Sequence, residues 1–191
     1  FNEVFFNDVR IPDSQRLGAE GDGWKVALTT LMNERLAVGD PPGLDFDQIF
    51  EATKEIEVED GLAIKNSEVR QKMADWYVQS RGLQYTKYRS MTALSKGQTP
   101  GPELSISKLV TASKMQEVSS YALDLMDMAG YVHHDKNPVM RNLFQNGYFF
   151  SAAMRIAGGT DEVLRNIIAE RVLGLPQDDR PDKLSLIHIS E

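Results

Sequence analysis

The 191-residue sequence predicts an all-α fold, an up-and-down helical bundle preceded by a short N-terminal strand. Three observations predict it. Long segments carry apolar residues at steps of three, four and seven; Gly- and Pro-rich breaks separate those segments; and almost no strand-like stretch follows residue 12. A hydrophobic content of 41% over this length is enough for one domain with its own core.

Phe1 to Val9 is rich in strand formers, yet no later segment offers it a partner, and an isolated strand leaves its backbone groups unpaired. Residues 1–22 are therefore expected to be the end of an upstream β-domain and a linker loop. The loop Leu17 to Gly23 opens a helix at about Trp24 to Val38. It is not a phosphate loop, because no Gly-Lys-Ser/Thr follows and Glu20 and Asp22 would repel an anion. On that helix Leu28, Leu31 and Arg35 fall within about 40° of Trp24, so Arg35 shares the apolar stripe and needs an anionic or carbonyl partner. Glu34 sits about 80° round, beside Ala27 and Val38, at the border of the face. Partial burial there raises a carboxyl pKa, as a base working near neutral pH requires. A surface glutamate beside a snorkelling arginine is the alternative.

Asp40-Pro41-Pro42-Gly43 ends this helix, and a short helical segment with Phe46, Ile49 and Phe50 follows. The acidic run Glu55 to Asp60 is expected to be a solvated face. A helix over Ser67–Lys96 is predicted by Val69, Met73, Trp76, Tyr77 and Leu83, and Gly97 to Pro102 breaks it. A second long helix, about Glu103 to Met128, shows a stripe of Leu109, Ala112, Leu123 and Met126 shared with Gln116 and Ser119, which suggests close packing. Gly130 to Pro138 is a loop, and a third helix runs from about Val139 to Ile156. In the last helix Thr160 is the N-cap, Asp161 and Glu162 are first-turn carboxylates, Val163, Leu164, Ile167 and Ile168 form the buried face, Gly174 follows the end and Pro176 blocks continuation. The bundle thus spans residues 23–176, with 177–183 as a charged tail. Leu184 to Glu191 looks like a translated sequencing adapter, and 184–191 is excluded from fold reasoning as a non-native segment.

Twenty-one basic against 28 acidic residues give net charge −7 with no long basic run, which argues against nucleic-acid or anionic-membrane surfaces. The absence of Cys excludes disulfides, thiolate metal sites and cysteine nucleophiles. No stretch approaches the ~20 apolar residues needed to span a bilayer, and the start lacks the regions of a secretion signal. A cytoplasmic protein without membrane insertion is expected. His133-His134-Asp135 is read as a polar loop, not a metal site, because adjacent side chains diverge. Met73, Met115, Met126, Met128 and Met154 are expected to fill the core. Ala157-Gly158-Gly159-Thr160 places two glycines and a hydroxyl before a helix; it is either an ordinary capped turn or a seat for an anion or carbonyl oxygen.

Phe5 to Pro12, Leu17-Gly18 and Gly21-Asp22-Gly23-Trp24 resemble the end of the middle β-domain of acyl-CoA dehydrogenases leading into their C-terminal bundle, and Gly158 to Pro176 resembles that family's terminal helix. The resemblance covers residues 1 to 183 and implies α,β-dehydrogenation of an acyl-CoA thioester, with FAD taking the β-hydride and a glutamate taking the α-proton. Many members carry the base in a Tyr-Glu-Gly-Thr motif, where this sequence has Gly158; others carry it just before an arginine on the first bundle helix, where Glu34-Arg35 stands. The resemblance therefore implies Glu34 as catalytic base and Arg35 and Gly158 as substrate-binding residues, Gly158 through an N–H to the thioester carbonyl. It implies Gly159, Thr160 and Glu162 as FAD-binding residues. The family's Arg-x-x-Phe-Gly signature is absent around Asn66–Met73. Electron-transfer flavoprotein or another acceptor, and a homo- or hetero-oligomer built through the bundles, are the implied partners. A non-catalytic structural subunit of a heteromeric dehydrogenase is the alternative.

Overall fold

Short polar side chains set the helix starts in this chain. The computed structural model describes residues 2–38, 44–98, 101, 102, 104–132 and 139–177, the side chains of 32–38 and 139–141 apart. Its helices are α1 (Gly23–Val38), α2 (Phe46–Thr53), α3 (Ser67–Ser95), α4 (Leu104–Leu125), α5 (Met128–Tyr131), α6 (Val139–Met154) and α7 (Asp161–Ile167). Asp45 caps α2 in a reciprocal box: its carboxylate accepts from the Phe46 N–H at 2.7 Å, and its own N–H donates to Gln48 Oε1 at 2.8 Å. The Asn66 carbonyl oxygen accepts from the N–H groups of Glu68 at 2.9 Å and Val69 at 3.3 Å, which starts α3. Thr160 caps α7 as the sequence predicts, its hydroxyl accepting from the Val163 N–H at 3.3 Å.

Helix α4 is the centre of the bundle and packs against α1, α2, α3, α5, α6 and α7. Its buried residues Ser105, Lys108, Ala112, Met115, Ser119 and Ala122 follow one another at alternating steps of three and four, and Thr111, Lys114 and Val118 widen that face. Ile49, Trp76, Met115, Val118 and Phe144 form the core around it, with Trp76 edge-on to Tyr121 at 5.3 Å between ring centroids. Helices α4 and α6 meet at small residues. A Cβ at Gly147 would lie 2.6 Å from Ser119 Oγ and 2.8 Å from Leu44 Cδ1, so only glycine permits this approach.

Several expectations change. Residues 2–12 form no strand, because the one sheet among the described residues is a hairpin elsewhere and gives them no ladder; Val4, Phe5 and Phe6 are exposed. That hairpin pairs β1 (Glu57–Val58) with β2 (Gly61–Leu62) inside the acidic run. Glu55, Glu57, Glu59 and Asp60 are solvated as expected, while Ile56 and Val58 pack on the core. The second long helix stops at Leu125 because Asp127 takes a φ of +50°. On α1 the apolar stripe is not buried against this bundle: Trp24 is 74% exposed, and Leu28 and Leu31 are exposed too. Val163, Tyr77 and Met128 likewise face outward; beside the first two, Leu164 and Trp76 are buried instead. Helix α7 passes into a π-turn, Ile168–Val172, before Gly174 at φ +69°, the left-handed residue predicted to end it. The His133 to Asp135 loop and residues 184–191 lie outside the described residues.

Gly147→Ala is expected to lower stability by about 1–3 kcal/mol through overpacking of α4 against α6. Adding Ser119→Ala, which removes the nearest clashing atom, recovers part of that loss in urea unfolding; equal stability of Gly147→Ala and wild type would contradict the close approach.

Candidate functional site

The chain passes from α6 into α7 through two residues that leave the right-handed region. Gly158 has φ +68° and Gly159 φ +108°, values that side chains rarely adopt. Around Gly159 there is room, since an added Cβ would meet only Leu164, at 3.4 Å; the backbone conformation is what demands glycine.

Helix α4 holds this turn from two sides. Lys108, 1% exposed, donates from Nζ to the Gly159 carbonyl at 2.5 Å. Arg155, at the end of α6, pairs with Asp161 Oδ2 at 2.6 Å and donates through Nη1 to Gln116 Oε1 on α4 at 2.7 Å. Asp161 is 2% exposed, and its Oδ1 has no hydrogen-bond partner among the described residues, so the Arg155 charge is what keeps this carboxylate in place. The sequence places Asp161 as a first-turn carboxylate, and the structure turns its side chain inward. Glu162 is exposed, and its own N–H and then the Thr160 hydroxyl donate to its carboxylate, holding its pKa below the ordinary value.

Gly158, Gly159, Thr160 and Glu162 thus share one braced turn. Glu34 and Arg35 lie in α1, and their side chains fall outside the described residues. Lys108 and Arg155 were missed. Lys108 has a readable signal, a lysine at a core position of the three-four stripe on α4; Arg155 has none, since its partners come from other helices.

A separate groove of about 570 Å³ opens between α3 and the first half of α4, with Phe46, Tyr77, Arg81, Tyr88 and Leu104 on its walls. At its edge Lys114, 4% exposed, pairs with Asp45 Oδ1 at 3.0 Å, and Ser80 donates to the same oxygen at 2.7 Å. Burial pushes the Asp45 carboxyl up, but the Ser80 hydroxyl, the Phe46 N–H and Lys114 together hold it below its ordinary value of 3.8. Among the described residues no group of His, Cys, Asp or Glu could hold a metal ion, and no helix is long and apolar enough to cross a membrane.

A central helix within an antiparallel bundle, holding a glycine turn at the head of the last helix, defines a class of helical domain with known relatives. Residues 21–173 match the profile of the acyl-CoA dehydrogenase C-terminal domain, and the chain belongs to the acyl-CoA dehydrogenase family. It is 35% identical over 182 residues to the acyl-CoA dehydrogenase IpdE1 of Mycolicibacterium smegmatis, covering 93% of this chain and 43% of that protein. Its fold is similar to an acyl-CoA dehydrogenase from Geobacillus kaustophilus (TM-score 0.71, 20% identity, 87% of this chain and 43% of that one). It is similar as well to a chain of the ChsE4-ChsE5 complex from Mycobacterium tuberculosis (TM-score 0.69, 23% identity, 92% and 46%). The chain spans less than half the length of the curated relatives it matches best.

The depressed Asp45 pKa fixes a sign. A carboxyl whose folded pKa lies below 3.8 adds stability that is present above that value and is lost as pH falls through the folded value. Asp45→Asn is expected to cost about 1–2 kcal/mol at neutral pH, less than the ~3–5 of a fully buried pair because Asp45 is 60% exposed. Urea unfolding followed from about pH 6 to about pH 2 should show a shallower acid decline in the variant; parallel curves would contradict the pairing.

Proposed function

We propose that this chain is the C-terminal helical part of an FAD-dependent acyl-CoA dehydrogenase that oxidises the α,β-bond of an acyl-CoA thioester. The observation that carries this reading is the braced Gly158-Gly159-Thr160 turn, lying within the stretch that matches the family. In this reading residues 1–22 are the end of a middle β-domain with its linker, 23–176 the bundle, 177–183 a tail and 184–191 a non-native segment.

The residues of the turn fit a cofactor in their donor chemistry: two positions without side chains expose main chain, and Thr160 adds a hydroxyl. FAD, held through Gly159, Thr160 and Glu162, would supply the acceptor for the β-hydride. Glu34 takes the α-proton, and the Gly158 N–H stabilises the charge that develops on the thioester oxygen. Arg35 supports the charged groups beside it. Electrons then leave to electron-transfer flavoprotein or another acceptor, in a cytoplasmic homo- or hetero-oligomer. Gly158 in place of a glutamate, together with the two-component complex among the solved relatives, supports the second reading, a non-catalytic subunit of a heteromeric dehydrogenase.

In the full-length protein, Glu34→Gln is expected to lower α-proton exchange and flavin bleaching by acyl-CoA about 10²–10⁴-fold with FAD still bound. Undiminished activity in the variant would move the base elsewhere. A full-length wild type that binds no flavin would favour the structural-subunit reading.

A further inference from the structure

The fold places a lysine where stability alone favours an apolar side chain. Lys108 occupies a core position of α4 between Ser105 and Ala112, and a methionine of similar volume would fill that space without desolvating an ammonium group. Its Nζ lies 2.5 Å from the carbonyl oxygen of Gly159. That carbonyl and the N–H of Thr160 belong to one planar peptide unit and point in opposite directions. Holding the oxygen toward α4 therefore aims the Thr160 N–H away from α4. The same contact draws electron density toward the oxygen, which strengthens the N–H as a donor.

The Arg155–Asp161 pair fixes the other side of the turn. Asp161 follows Thr160 directly, and its carboxylate is tied at 2.6 Å to Arg155, which is tied to Gln116 on the same central helix. Lys108 and Gln116 lie eight residues apart on α4, two turns along one face. The peptide between Gly159 and Thr160 is thus restrained at its oxygen and at the residue that follows it.

We propose that Lys108 is a positioning residue for the site: it orients and polarises the Gly159–Thr160 peptide so that its N–H donates to the bound cofactor. This rests on the acyl-CoA dehydrogenase reading and names the device that makes its turn rigid. A purely structural lysine would move stability and leave the bound flavin unchanged; a positioning lysine moves the flavin too.

The test uses full-length enzyme with Lys108→Met, which removes the donor at similar volume, and Lys108→Arg, which restores it. FAD affinity is read by flavin fluorescence on reconstitution of the apoenzyme, together with the visible absorption band of the bound flavin and thermal unfolding. Lys108→Met is expected to weaken FAD binding roughly tenfold, the loss of about one oriented hydrogen bond, and to shift the flavin band, with Lys108→Arg recovering most of both. Unchanged FAD affinity and spectrum in Lys108→Met, whatever its thermal midpoint, would overturn the positioning role alone. A wild type that binds no FAD would instead overturn the reading on which it rests. If Lys108→Met does not fold, Lys108→Leu, which likewise removes the donor, is read against the same two outcomes.

Discussion

Helix α4 is surrounded by the other helices, so polar side chains on its inner face cost free energy unless they find partners inside the protein. Two of those side chains are lysines, the most expensive kind to leave unpaired. Lys114 reaches back to the Asp45 carboxylate that caps α2, and Lys108 reaches forward to the Gly159 carbonyl ahead of α7. A single helix therefore ties down both the start of α2 and the turn before α7.

This arrangement couples stability to the site. The turn at Gly158 and Gly159 costs backbone freedom and brings no side chains of its own to pack. Its order comes from polar contacts to α4 and from the Arg155–Asp161 pair. Those contacts are short-range and directional, so small displacements of α4 reach the turn undiminished. The close approach of α4 and α6 at Ser119 and Gly147 limits such displacements, because the interface has no slack for a side chain.

What was legible in the sequence is local. Helix periodicity located α3 and α6 almost to the residue, and capping chemistry identified Thr160 and Gly174 without any tertiary information. What escaped depends on partners distant in the chain. Asp161 satisfies every rule for a solvated first-turn carboxylate, and only Arg155, placed by α6, turns it inward. Val4, Phe5, Phe6 and the Trp24 stripe are apolar as read and exposed in this structure, because an apolar pattern says that a face wants cover, not that this bundle supplies it. The hairpin at Glu57 to Leu62 is too short for any period to show, and its two inward side chains hide among the acidic ones. Of the candidate site, the turn was visible and the lysine that braces it was not, although the three-four spacing on α4 carried the information.

The turn's own geometry bears on where a base can stand. A glutamate at position 158 would need φ near +68°, a conformation that costs a side chain about 1–2 kcal/mol relative to glycine. The braces on Gly159 and Asp161 oppose the backbone rotation that would relieve that strain. A side chain at this position would thus meet a backbone held at both ends, whereas glycine takes the conformation without that cost. A glutamate within α1 is under no such constraint, because helical backbone accepts any side chain. The proposed function, with the proton at Glu34 on α1 and the oxygen at the Gly158 N–H, gives each position a task that its backbone allows.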